Sequence, residues 1–383
     1  MKTKLIAAVL ALAISAKPGA AEIVVGFVTG LSGPVSSIGI PNSKGLAAGQ
    51  TYIGDIGGEK VRVIQLDDAS DPSNATRNAR KLIEQDHVDF LIGTSGAPQT
   101  AAMAAVATEL KTPMVAVSPI PPPPKDEGGP WVVQIPQPAP LLIRGIVDHM
   151  AANEVKTVAF IGFGDAFGDL MYESLSKLSN GTSIKIVANE RYARSDTSVT
   201  AQVLKVMATK PDAVMIGGTG AAGALPVLAL RERGYKGAYY GNHGLISADF
   251  LRIAGAAADG IICPTGPVTA AEQLPATNPV RKVVLEYRTA FEKVNGSLPT
   301  DSFSAYAFDG WLVFADAAKR ALAAGAKPQT PEFRAALRDA LLATNEVVGT
   351  HGIYTFTPTA PYWVDDRARV MIRIEGGSYK LLN

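Results

Sequence analysis

Apolar runs and amphipathic stretches alternate along most of the chain. Ile23–Thr29 is continuously apolar, the pattern of a strand buried on both faces. Leu31-Ser32-Gly33-Pro34 marks a turn, and a helix is expected from about Asn42 to Ile53. Val61–Leu66 reads as the next strand, closed by Asp67-Asp68. Asp71-Pro72-Ser73 then starts a helix over Asn74–Gln85, with Pro in its first turn and Ala79, Leu82 and Ile83 facing inward. Phe90–Ile92 is a third strand, followed by an alanine-rich helix over Thr100–Leu110, and Met114–Val117 is a fourth strand. The prolines from Pro119 to Pro124 make a stiff extended segment. Extended structure resumes at Trp131–Ile135, until Pro136, Pro138 and Pro140 break it.

The alternation then repeats. Helices are expected at Leu141–Ala152, about Gly168–Leu178, Thr200–Thr209 and Ala222–Arg233, the last ended by Gly234. Between them lie the extended segments Val158–Ile161, Ile184–Val187, Ala213–Ile216, Ala238–Tyr240 and Gly260–Ile262. Pro264–Pro279 is a second passage punctuated by proline and glycine. Three helices follow, Val280–Val294, Phe303–Ala323 and Pro331–Leu342, and the chain closes on two strands, Gly352–Phe356 and Arg369–Glu375, expected to be antiparallel. Two rounds of alternation predict an α/β fold of two lobes with doubly wound parallel sheets. Several crossings between the lobes imply a hinge and a cleft, and such folds hold ligands at the carboxyl ends of their strands.

Composition sharpens this picture. The 383 residues suffice for two domains, and 47% are hydrophobic against 19% charged. The formal charge of +1, without a basic run, argues against a nucleic-acid partner. Lys2 and Lys4 precede a ten-residue apolar core, Leu5–Ile14, and Gly19-Ala20-Ala21 supplies small residues before a cut; this is a signal peptide, too short to span a bilayer. Its removal near Ala21 leaves 33 basic and 35 acidic residues. Cys263 is the single cysteine, so no intramolecular disulfide forms, and its apolar surroundings mark a packed side chain.

The stretch Asp89–Thr100, DFLIGTSGAPQT, carries the first candidate chemistry. A strand that stops at a small, hydroxyl-bearing turn and restarts as a helix points unpaired N–H groups at whatever lies above it. With Thr94 and Ser95 beside them, these groups suit a carboxylate; a turn capped by its own Ser and Thr is the plainer alternative. Gly218–Gly223 matches the spacing of a dinucleotide-binding loop, but the next strand ends Tyr239–His243 without the expected acid. Gly93–Gly96 lacks the second spacer of a nucleophile elbow, and His87, His149, His243 and His351 are widely scattered. No catalytic residue, metal site or cofactor is expected.

Several segments in order resemble the type I periplasmic solute-binding proteins of ABC importers, specifically the branched-chain amino-acid-binding (Leu/Ile/Val) family. They are Ile23–Gly26 with Leu31–Pro34, Leu66–Asp68 with Asp71-Pro72, Phe90–Gly93, Val117–Pro119, Ala166–Gly168 and Ala305–Asp309. The resemblance implies two Rossmann-like lobes joined by three crossovers, residues 22–134 with 267–356 forming one and 135–266 with 357–383 the other. It implies a periplasmic monomer that closes on a small molecule and passes it to permease subunits in the inner membrane. The family's carboxylate-holding positions fall on Ser95, Gly96 and Ala97 with Thr94 and Gln99 nearby, and on Ser118, Ile120 and Pro121. Phe167 matches an aromatic of the second lobe, and Phe163, Tyr192 and Tyr306 are further candidates to stack on a ring. Three departures stand out. A threonine that helps grip an amino acid's ammonium falls in Pro121-Pro122, a tyrosine is Thr219, and the acid that neutralises the ammonium is His243. Closing a free ammonium into such a cleft would cost several kcal/mol. The expected ligand is therefore a small carboxylate lacking an α-amine, an aromatic acid foremost and a keto acid or dicarboxylate next, with a branched-chain or other amino acid as the alternative. A ligand-sensing receptor domain without transport is the rival role.

Overall fold

The computed structural model describes residues 22–121, 129–362 and 364–382. The signal-peptide segment and Pro122–Pro124 lie outside these residues. Two sheets organise the chain. The first has five parallel strands in the order β2-β1-β3-β4-β5, namely β1 (Ile23–Thr29), β2 (Val61–Asp67), β3 (Phe90–Gly93), β4 (Met114–Ala116) and β5 (Val132–Gln134). Because successive residues of a strand point to opposite faces, a strand apolar at every position buries both. Val25, Phe27, Phe90 and Ile92 pack on one face against Trp311 and Phe314 of α10 (Phe303–Ala323). Val24, Val28 and Leu91 pack on the other with Leu82 of α2 (Pro72–Glu84) and Met103 of α3 (Ala97–Glu109).

The second sheet has seven strands in the order β14-β13-β10-β9-β8-β6-β7. Its parallel part comprises β6 (Thr157–Phe163), β7 (Lys185–Tyr192), β8 (Ala213–Gly217), β9 (Ala238–Gly241) and β10 (Ile262–Thr265). Around it lie α4 (Ala139–Ala152), α5 (Ala166–Ser179), α6 (Thr200–Ala208), α7 (Ala224–Glu232) and α8 (Ala248–Ala254), all sharing one apolar core with the sheet. Two antiparallel strands, β13 (Val370–Glu375) and β14 (Ser378–Leu381), complete the edge beside β10. The chain passes between the sheets three times: after β5, after β10 and before β13.

Four expectations need correction. The first helix, α1 (Ser36–Tyr52), starts six residues before Asn42 and carries Pro41 inside it. The hydrogen bond lost at Pro41 is outweighed by packing, since α1 presents Gly45 and Gly49 closely to Ser304 and Trp311 of α10. The strand placed at Gly260–Ile262 runs instead over Ile262–Thr265, where β13 supplies partners for Cys263 and Pro264. The two closing strands do not pair. Ile353–Tyr354 (β12) pairs with Val347–Val348 (β11), whereas β13 joins the second sheet. The second sheet is therefore mixed, not wholly parallel. The helices α9 (Pro279–Asn295) and α11 (Pro331–Leu341) complete the first lobe beside α1 and α10.

Candidate functional site

Both sheets change strand direction of growth next to their first strand, β1 beside β3 and β6 beside β8. Loops leaving the carboxyl ends of strands on either side of such a point diverge and leave a crevice. The two crevices face each other. Their shared wall is formed by Ser95, Gly96 and Ala97 after β3 and by Val117, Ser118 and Pro119 after β4. The second lobe adds Phe167 on α5, Arg194 after β7, Thr219 after β8 and His243 after β9. Ile38, Phe303 and Tyr306 close its sides. The lobes stand close together: the space open to the centre of a water molecule is only about 20 Å³, enough for about one water.

On the first lobe, Gly96 is the N-cap of α3 and has no side chain to cap it. Pro98 lacks an N–H, and the N–H groups of Ser95, Gly96 and Ala97 meet no acceptor among the described residues. The Ser95 hydroxyl is turned inward. It lies 2.6 Å from Thr29 Oγ1 and accepts from the Gly30 N–H at 3.2 Å, while Thr29 donates to the Gly39 carbonyl at 3.1 Å. The turn therefore offers the cleft its backbone, not its Ser95 side chain.

Four of the residues expected at the ligand lie off the wall. Thr94 is fully buried, and its N–H donates to Thr100 Oγ1 at 3.1 Å. Gln99 donates to the Ser70 carbonyl, and its Oε1 occupies the space a side chain at Gly96 would need. Ile120 packs into the first lobe's core, with its N–H donating to Gln134 Oε1 at 2.9 Å. Pro121 is exposed and does not line the cavity. Phe163 and Tyr192 stand behind the wall, 5.1 Å apart, with the Tyr192 hydroxyl donating to the Ala222 carbonyl at 3.1 Å. The glycines of Gly218–Gly223 admit Tyr192 and Leu245 at close quarters, a packing role.

On the second lobe, Asp165 caps α5 by accepting from the N–H groups of Phe167 and Gly168 at 3.0 and 3.2 Å. Its other oxygen accepts from Arg194 Nε at 2.6 Å, and Arg194 Nη1 donates to Thr219 Oγ1 at 3.2 Å. The guanidinium lies 4.1 Å from the ring centre of Phe163 and 5.9 Å from that of Phe167. Asn242 ties the loops after β8 and β9 together, donating to the Ile216 and Gly218 carbonyls and accepting from the Gly244 N–H. This fixes His243, whose ring stands edge-on to Phe167 and to Tyr306, each at 6.2 Å. Among the described residues its Nδ1 has no partner, and burial lowers its pKa to about 4, so the ring is neutral at pH 7. Among the described residues no aspartate or glutamate lines the wall.

A model of the family described as "Periplasmic binding protein" matches residues 22–364. The chain belongs to that family. Its two lobes are of the type I kind. An extracellular ligand-binding receptor from Rhodopseudomonas palustris HaA2 is similar throughout: 40% identical, with a TM-score of 0.90, over 94% of this chain and 100% of that one. The Leu/Ile/Val-binding protein BraC3 of Rhizobium johnstonii is 26% identical over 285 residues, 68% of this chain and 72% of the relative. In fold, the chain also resembles the binding protein LivJ from Streptococcus pneumoniae, solved with isoleucine, at a TM-score of 0.76 and 21% identity over 94% and 99% of the two chains.

In this periplasmic binding protein the cleft wall continues into the hinge. The Tyr306 hydroxyl donates to Gln137 Oε1 at 2.8 Å, and its ring stacks on His351 at 3.7 Å. Gln137 Nε2 in turn donates to the Ala368 carbonyl at 2.8 Å. Gln137 lies on the first crossover and Ala368 on the third, while His351 packs against Gly266 of the second. One wall residue therefore touches a cluster shared by all three crossovers. Two features of the site escaped the sequence reading. Gln137 and His351 carry no local motif. Arg194 sits in Ala193-Arg194-Ser195-Asp196, which reads as a solvated loop, and β7 runs on to Tyr192, five residues past the expected strand end at Val187.

Proposed function

We propose that this periplasmic binding protein is the solute-binding component of an ABC importer for a small organic carboxylate without an α-amine, an aromatic acid foremost. The carrying observation is the charge of the wall: a guanidinium, a neutral imidazole and no carboxylate side chain. An ammonium there would find no carboxylate on the wall to pair with, because Asp165 is already taken by Arg194 and the α5 cap, at a cost of several kcal/mol. A carboxylate suits both Arg194 and the uncapped start of α3. Phe167, Phe303 and Tyr306 give the wall flat apolar faces for a ring, which the cleft admits once the lobes stand further apart than they do here. Binding, not catalysis, is the role, and no cofactor is called for. The chain acts as a monomer in the periplasm after cleavage near Ala21, delivering its ligand to the permease. The Leu/Ile/Val-binding relative favours a second reading, a branched-chain amino acid.

Calorimetric titration of the mature protein with benzoate, 3-phenylpropenoate, leucine and valine separates the two. The expected result is saturable binding of at least one aromatic acid and none of the amino acids. Tight binding of leucine or valine, with no response to either acid, would overturn the proposal.

A further inference from the structure

We infer that Arg194 is the residue by which the cleft selects an anion, sharing one ligand carboxylate with the first turn of α3 across the gap between the lobes. The inference rests on the proposed carboxylate ligand and names the group that reads it. An arginine in a loop ordinarily extends its charge into water. Here the side chain folds back on Phe163 and Phe167 and is only 14% exposed. Asp165 and Thr219 take two of its five N–H groups. The rest have no acceptor among the described residues, and the guanidinium borders the cavity. Asp165 holds Arg194 by one edge while spending its other oxygen on the α5 cap. The guanidinium is thereby oriented, with donors left over.

Two further observations give this donor set its target. Ala97, in the first turn of α3, packs in the second lobe's core beside Phe167, so the free N–H groups and the guanidinium border one narrow space. Arg194 also lines a wider outer cavity of about 240 Å³ with Pro34, Val35, Ser70, Gly164 and Asp165. Among the described residues Arg194 is thus the one common to the outer cavity and the inner wall that carries Phe167 and His243. A carboxylate has two oxygens and two faces of lone pairs, so it can accept from both lobes at once. Those contacts exist together only in the closed form, so the anion itself favours closure.

The test compares benzoate with benzamide, which keeps the ring and shape but loses the charge, on the mature wild type, Arg194→Gln and Arg194→Lys. Wild type is expected to prefer benzoate by roughly 100-fold, the scale of a paired charged hydrogen bond. Arg194→Gln should lower that preference to below about 5-fold with benzamide affinity changed less than about 3-fold, and Arg194→Lys should fall between. Small-angle X-ray scattering should show benzoate compacting the wild type and not Arg194→Gln. If Arg194→Gln unfolds, the preference of Arg194→Lys decides: unchanged from wild type, it overturns the inference. Benzoate preference retained in Arg194→Gln, or compaction retained by it, overturns the inference while leaving the carboxylate reading intact. Wild type binding leucine and no acid overturns both.

Discussion

Replacing Gly49 by alanine tests whether α1 is held where the cleft needs it. A Cβ at this position would lie 2.7 Å from Trp311 Cβ and 2.8 Å from Cγ, atoms fixed to the α10 backbone. Ordinary carbon contacts are about 3.5–4.0 Å, so the helices must part by roughly 1 Å. Overpacking of this kind costs about 1–3 kcal/mol. The shift also strains the hydrogen bond from Trp311 Nε1 to the Ile53 carbonyl, 2.8 Å long, worth about 1 kcal/mol. Against this, alanine in a helix gains about 1 kcal/mol over glycine. The net loss is about 1–3 kcal/mol, a fall in melting temperature of roughly 1–4 °C for a chain of this length. Thermal melts of wild type, Gly49→Ala and the control Gly54→Ala measure it. Gly54 has only the Gln50 carbonyl within reach, at 3.7 Å, and should change stability by less than about 0.5 kcal/mol. Gly49→Ala melting at or above wild type would refute the argument, because helix propensity would then have outweighed the clash.

Acid should weaken the fold through His243. Its folded pKa of about 4 lies below its ordinary 6.5, so its stabilising share is complete above pH 6.5 and is lost as pH falls toward 4, by up to about 3 kcal/mol. Asp309, held up to about 6 by burial, acts in the opposite direction. The difference between wild type and His243→Asn isolates the histidine: urea midpoints should converge or cross between pH 7 and pH 4.5, and a constant difference would contradict the assignment. Cys263 is fully buried, and burial pushes its thiol up to about 12. A thiol reagent at pH 8 should therefore label the native protein far more slowly than the urea-unfolded chain, and equal rates would show that the site opens readily.

What the sequence made legible follows from which forces are local. Phe303–Ala323 and the strands at Ile23, Val61 and Phe90 were readable because periodicity and length decide them. The start of α1 was not, because Pro41 is a good boundary signal that tertiary packing overrides. β14, four residues long and half polar, has no pattern of its own and exists by pairing with β13. At the site, Ser95–Ala97 stood out because they follow a recognisable strand end, while Phe167, Thr219 and His243 were named only through the resemblance to the family. Arg194 lies well past the expected strand end at Val187, and its meaning depends on Phe163 and Asp165, which are distant in the chain. Pro121 shows the converse. A position two residues beyond the wall looks equivalent in one dimension and faces solvent in three.

The three crossings have a consequence for the order in which the protein can acquire its shape. All five strands of the first sheet have been made by residue 134, yet the face that α1 covers only in part stays incomplete until Trp311 and Phe314 arrive on α10. The second sheet has its parallel strands by residue 265, yet β10 has an open edge until residues 370–375 are made. A growing chain therefore cannot finish either lobe early, and such long-range closure is slow. The last contacts of both lobes therefore come from near the end of the chain, and neither core can be completed before nearly all of it has been synthesised.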